Sequence, residues 1–295
     1  MHAIILTDNE ISNLGPLNDI SVPALLPVAG KPIVLHLLEQ LHRSGIMSVS
    51  VVSRTAHDEI DKAIDTRPLL GMSVKFLPGI EQNRLVNHDI LVIGTHQLDD
   101  TSWEYANGSD TNISGTGITR LTSSTDETLG LVLHAHTKQC IPETWIDFSH
   151  YEKSNCAGTI NILKIESLTG YRAANFEVLD GDCKHLFAAG RQVSPNLRVA
   201  PKAQVSVNVV LGKHVYIGGQ SRIKDTVKLY GNVVIGDDVY VDKHARITNS
   251  IILDDTYIGA MTSIEDAIVK GNMLIKIDSG VCLTITDPVL LSEAV

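Results

Sequence analysis

One pattern limits what this chain can fold into more than any other: a strict period of six near its C-terminal end. Stepping six residues at a time from Val199 meets Val205, Leu211, Ile217, Ile223, Leu229, Ile235, Val241, Ile247 and Leu253, all aliphatic. A half-buried strand repeats every two residues and an amphipathic helix every 3.6, so neither explains the pattern. Gly212, Gly218, Gly236, Asp242 and Asp254 follow the aliphatic position, where a corner needs a residue tolerant of unusual backbone angles. A triangular coil of three such units, stacked on its neighbours, accounts for this. The expected element is a left-handed parallel β-helix over 196–285. The ten residues above point into its lumen, and the phase slips at Ile258.

The first 195 residues alternate apolar strands with amphipathic helices, which predicts an α/β domain with a mostly parallel, Rossmann-like sheet. Strands are expected at 3–6, 49–52, 74–77, 90–93, 129–133 and 159–163. Helices are expected from Pro32 to about Gly45 and over 57–64. Residues 98–126, rich in Asp, Ser, Thr, Asn and Gly, read as a surface excursion. Residues 286–295 are expected as a tail. The apolar segment 274–285 falls at the open end of the β-helix, where an unpaired edge would favour assembly. The net charge of −10 argues against a nucleic-acid partner, and no apolar run is long enough to span a membrane. The four cysteines lie far apart, as expected of buried thiols in a reducing cytoplasm.

Ligands of such sheets bind at the carboxyl ends of strands, so the loop after Leu6 is the place to look. Residues 6–32 read LTDNEISNLGPLNDISVPALLPVAGKP. This stretch resembles the opening of sugar-phosphate nucleotidyltransferases, mannose-1-phosphate guanylyltransferases among them. There the loop runs L-A-A-G-x-G-T-R-L-x-P-L-T and is followed by P-K-P-L-L-P-V-x-x-K-P. Leu14, Pro16, Leu17, Asp19, Leu25, Leu26, Pro27, Val28, Gly30, Lys31 and Pro32 stand where that pattern has them. Several members also end in a hexapeptide β-helix. Residues 145–162 are similar to the segment after the family's metal-binding aspartate, and Gly115-Thr116-Gly117 is similar to its nucleobase loop.

The resemblance implies attack of a sugar phosphate on the α-phosphate of a nucleoside triphosphate, with Mg²⁺ held by an aspartate. The required groups are glycines that admit phosphate, cations that offset charge and the metal carboxylate. Here Asn9 and Ile11 replace the two glycines, Asn13 the arginine and Pro23 the lysine, while Asp8 adds negative charge. Thr7, Asp8, Asn9, Ile11, Asn13, Pro23 and Lys31, with Gly115 and Thr116, are then the remains of a nucleotide loop. One alignment places His136 at the metal aspartate, where it could bind a softer metal with His134 on the same strand face. The other places Thr95 there. The expected function is therefore an inert nucleotidyltransferase-like protein with a regulatory or scaffolding role in sugar-nucleotide or glycan biosynthesis. It would need no cofactor and would work as a homo-oligomer or with a related enzyme. The alternatives are an active, Mg²⁺-dependent nucleotidyltransferase and a hexapeptide acyltransferase.

Overall fold

A computed structural model describes residues 1–7, 14–19, 22–54, 56–65, 71–79, 89–103, 118–133, 152–155 and 160–294. By its contacts the chain forms two compact units. The first comprises Met1–Ile11, Ser21–Leu26 and Pro32–Lys164, and the second Ser12–Ile20, Pro27–Lys31 and Ile165–Val295.

The first unit is built on a seven-stranded mixed sheet. Its strands are β1 (His2–Leu6), β2 (Ser48–Val52), β3 (Ser73–Leu77), β4 (Ile90–Gly94), β5 (Ile118–Thr122), β6 (Thr128–Leu133) and β7 (Glu152–Asn155), in the order β7-β5-β6-β4-β1-β2-β3. β3, β2, β1 and β4 run parallel, and β6 is antiparallel to both β4 and β5. β1 is buried over Ala3–Leu6 and β4 throughout, as expected of strands covered on both faces. Helix α1 (Ile33–Arg43) buries Val34, Leu37, Leu38 and Leu41 along one stripe, and α2 (His57–Asp65) follows β2. Pro32 is the N-cap of α1 rather than its first helical residue.

The expected surface excursion at 98–126 is instead partly core. Gln97–Asp100 pairs antiparallel with Asn161–Lys164, and β5 lies inside the sheet. Leu98, Asp99, Arg120 and Leu121 are buried. Polar residues occupy these strands because they are satisfied there: Gln97 Nε2 donates to Asp99 Oδ1 at 2.8 Å, and Arg120 pairs with Asp126 at 2.9 Å.

In the second unit the hexapeptides form a parallel β-helix with three faces. Val199 pairs with Ile217 and Ile217 with Ile235, eighteen residues on each time. The lumen holds Ile217, Ile223, Leu229, Ile235, Val241 and Ile247, with Val199, Val205 and Leu211 at its partly buried first end. Leu253 is a correction. The lumen residue is Ile252, which pairs with Ile235 seventeen residues back, so the slip falls before Ile252 rather than at Ile258. Period six cannot choose among Ile251, Ile252 and Leu253, three aliphatic residues in a row. The corner at Asn249 (φ 45°) is one residue shorter, and Ser250 takes the buried place beside it. Its hydroxyl donates to Thr248 O and accepts from Ala267 N.

Helix α3 (Leu168–Asp180) was not expected. Ser167 caps its start by accepting from Gly170 N at 3.0 Å, and Gly181 ends it at φ 79°. It packs against strands His214–Ile217 and Asn232–Ile235, and the main segment of the second unit runs from Ile165 rather than from 196. Tyr216, Val234, Ile251 and Ile268 point away from the lumen yet are fully buried.

The far end of the β-helix is also closed. Residues 273–284 fold as an antiparallel hairpin on the last coil, with Met273–Lys276 pairing onto Ala267–Lys270. The tail contributes a strand, Leu291–Glu293, antiparallel to Thr256–Ile258, and Leu291 joins the lumen core. Cys183 is buried as expected, whereas Cys282 is exposed on the hairpin.

Candidate functional site

The parallel strands β1, β2 and β4 all end on one edge of the sheet, and the register sets Leu6 beside both Val52 and Gly94. The next residues, Thr7, Ser53 and Thr95, are buried neutral side chains with 0, 1 and 0 % exposure. Thr7 commits both its donors to one carbonyl: its N and Oγ1 give bonds of 3.1 and 2.8 Å to Val52 O. Ser53 Oγ accepts from Ala56 N at 3.2 Å, at the entry to α2. Thr95 Oγ1 is buried and makes no hydrogen bond among the described residues.

The register places Thr95, one of the two sequence candidates for the metal position, at this same edge. Thr95 follows β4 at the carboxyl edge of β1. Leu133 stands beside Ile90, which pairs with His2, at the opposite edge. The segment ending in Thr95 therefore occupies the ligand edge. Thr95 offers one neutral hydroxyl oxygen, whereas protein Mg²⁺ sites usually rest on one or two carboxylates. Among the described residues no three His, Cys, Asp or Glu side chains converge as a metal site. The described side chains at this edge, Thr7, Ser53 and Thr95, are neutral hydroxyls that do not make a Mg²⁺ site by themselves.

Lys31 and Pro23, the sequence-derived cation positions, are structural. Pro23 opens a short 3-10 turn, Pro23–Leu25, capped by Val22. Lys31 is 4 % exposed, and its Nζ donates to Phe187 O at 3.0 Å within the second unit. The whole turn 27–31 is held in that unit. Tyr171 Oη donates to Pro27 O at 2.6 Å, Ala29 N donates to Asn175 Oδ1 at 2.8 Å, and Ala189 N donates to Ala29 O at 2.9 Å. Gly30 (φ 81°) lies flat on the Tyr216 ring, where a Cβ would overlap it. The retained P-V-x-G-K residues are thus explained by packing. Asp8, Asn9, Ile11, Asn13, Gly115, Thr116, His134 and His136 lie outside the described residues.

Two clusters escaped the sequence reading. Beside Thr95, burial drives the His96 imidazole down to about 4, against a hydrogen bond to Gln97, so it is neutral at physiological pH. Burial also pushes the Asp99 carboxyl well above the carboxylate range, again against the Gln97 bond. In the second unit, Asp180 at the end of α3 accepts from Lys213 Nζ at 2.5 Å and Asn232 Nδ2 at 2.8 Å, and lies 2.7 Å from His214 Nδ1. The caps Ser167 and Gly181 could have revealed α3. Nothing in the sequence joins Asp180 to His214.

Residues 190–286 match the family described as the GMPPB C-terminal domain. A glucose-1-phosphate thymidylyltransferase from Streptomyces griseus is 30 % identical over 96 residues, covering 31 % of this chain and 27 % of that protein. The chain is similar to the sugar-phosphate nucleotidyltransferases. A second glucose-1-phosphate thymidylyltransferase, from Streptomyces antibioticus, is 28 % identical over 102 residues, covering 34 % of this chain and 28 % of that protein. The chain thus spans just over a quarter of the length of these curated relatives. A solved structure of a candidate glucose-1-phosphate thymidylyltransferase from Bacillus anthracis superposes with a TM-score of 0.48 at 14 % identity, covering 60 % of this chain and 94 % of that one.

Proposed function

We propose that this chain is a catalytically inert relative of sugar-1-phosphate nucleotidyltransferases that regulates or scaffolds sugar-nucleotide or glycan biosynthesis. The carrying observation is Thr95, a buried neutral hydroxyl at the carboxyl edge of β4 where the transfer reaction needs a metal-binding carboxylate. Lys31 adds to it, because the ammonium group retained from the motif is bound to the Phe187 carbonyl, and the Thr7 hydroxyl is likewise bound to a backbone carbonyl. The test is incubation with glucose 1-phosphate or mannose 1-phosphate, each of GTP, UTP and dTTP, and Mg²⁺. No pyrophosphate above blank is expected, and sustained release would overturn the reading. The relatives' activity favours the second reading, an active nucleotidyltransferase with an altered site.

A scaffolding role needs assembly, with itself or with a related enzyme. Val281, Leu283, Val289 and Leu290 are 44 to 67 % exposed on the hairpin and tail, and they support contact at that end. Light scattering that finds only a 32.0 kDa particle at micromolar concentration would count against self-association.

A further inference from the structure

We infer that the corner joining the second and third faces of the β-helix is a docking surface for an acidic segment of a partner protein. The second face carries strands Arg222–Ile223 and Tyr240–Val241, and the third carries Lys228–Tyr230 and Arg246–Thr248. Five cations gather on these two coils: Arg222, Lys224, Lys228, Lys243 and Arg246, of which all but the half-buried Lys224 are exposed. Among the described residues none of the five is in an ion pair. Lys228 and Arg246 are direct neighbours in the parallel ladder. Like charges placed side by side on a sheet repel.

The carboxylates on the same corner are Asp225 and Asp242. Asp225 accepts from the Ser206 hydroxyl, and Asp242 accepts from Lys243 N at 2.7 Å. The other two carboxylates of these coils, Asp237 and Asp238, stand at another corner, next to Asp254 and Asp255 of the following coil. A chain with ten excess negative charges thus segregates an unpaired positive patch within a short stretch of β-helix. Such a patch attracts an anionic partner.

The aromatic groups favour carboxylates over nucleobases. Lys224 Nζ lies 5.2 Å over the Tyr240 ring, whose stacking partner is Tyr257 at 5.6 Å. The Arg246 guanidinium lies 5.9 Å over the Tyr230 ring. Ring faces that would stack on bases are already covered by cations or by another ring. The overall negative charge also repels an extended polyanion. This surface deepens the scaffolding reading but does not depend on inactivity, because an enzyme releasing pyrophosphate would leave it standing.

The test uses the full chain and a fluorescein-labelled twelve-residue glutamate-rich peptide, read by anisotropy at low salt. Binding is expected, weakening as salt rises toward a Debye length of about 8 Å. The pair Lys228→Glu and Arg246→Glu should weaken it at least tenfold. Arg191→Glu with Lys202→Glu, equally exposed cations elsewhere, should change it less than twofold. The neutral pair Lys228→Gln and Arg246→Gln, checked by its melting curve, serves if reversal impairs folding and is read in the same way. No binding, equal loss in both pairs, or tighter binding of a twelve-nucleotide single-stranded DNA would each overturn the proposal.

Discussion

At the scale of single residues, the structure converts two motif positions into packing positions. Gly30 is required by both its positive φ and the Tyr216 ring against it. Gly30→Ala should therefore cost roughly 2–4 kcal/mol, the sum of left-handed strain and overpacking, readable as a lower midpoint in urea. Asp99 carries a pH prediction. Its folded value is raised, so the folded state holds the proton more tightly than the unfolded chain. The stability this contributes is complete below the ordinary carboxylate range and is lost as pH rises toward the folded value. Asp99→Asn should leave stability unchanged near pH 4 and raise it at pH 7. An equal effect at both pH values would show that the carboxyl does not titrate with folding.

At the scale of elements, α3 is tied to the β-helix by Arg172, which pairs with Asp266 at 3.3 Å, and by the Asp180 carboxylate at its end. Partial burial pushes Asp180 up, but its bonds from Lys213, His214 and Asn232 outweigh that and hold it below its ordinary value. A depressed carboxylate contributes above about pH 4, and the contribution is lost as pH falls through the folded value. Asp180→Asn should then cost about 1–2 kcal/mol at pH 7 through its bonds to His214 and Asn232, and the cost should shrink in acid. Thermal melts across pH 3 to 7 would show this. The β-helix was legible because each lumen position repeats one requirement every six residues, and register confirmed nine of the ten positions. The tenth failed where Ile251, Ile252 and Leu253 satisfy the pattern equally. β1, β2, β4 and α1 were legible from their apolar runs. Strand 97–100 was not, because Gln97 and Asp99 satisfy one another inside the protein and look like loop residues in the sequence. At the candidate site the loss of charge could be read directly, but the role of Lys31 depends on Phe187 O, 156 residues away.

At the scale of the whole molecule, the lumen sets the stability of the second unit. Ile235 is fully buried in it, and Ile235→Asp should exceed about 4 kcal/mol, because an unpaired charge would have no polar partner. An unchanged melting temperature would be incompatible with this core. The matched family begins at 190, but a fragment starting there lacks α3, which packs on strands 214–217 and 232–235. Residues 190–295 should aggregate or bind a hydrophobic dye more strongly than residues 165–295, compared by size-exclusion chromatography.

The turn at 27–31 carries a consequence for how such chains are inherited. During synthesis these five residues leave the ribosome well before Tyr171, Asn175 and Ala189, the residues that hold them. A β-helix transferred to another protein by a single crossover near residue 165 would arrive without the strip of chain that Gly30 lays over Tyr216. Recombination would have to carry two separated pieces of gene, or the recipient would have to encode the same turn near its own start. Selection on the second unit therefore reaches back to codons 27–31, and packing alone can preserve the P-V-x-G-K stretch.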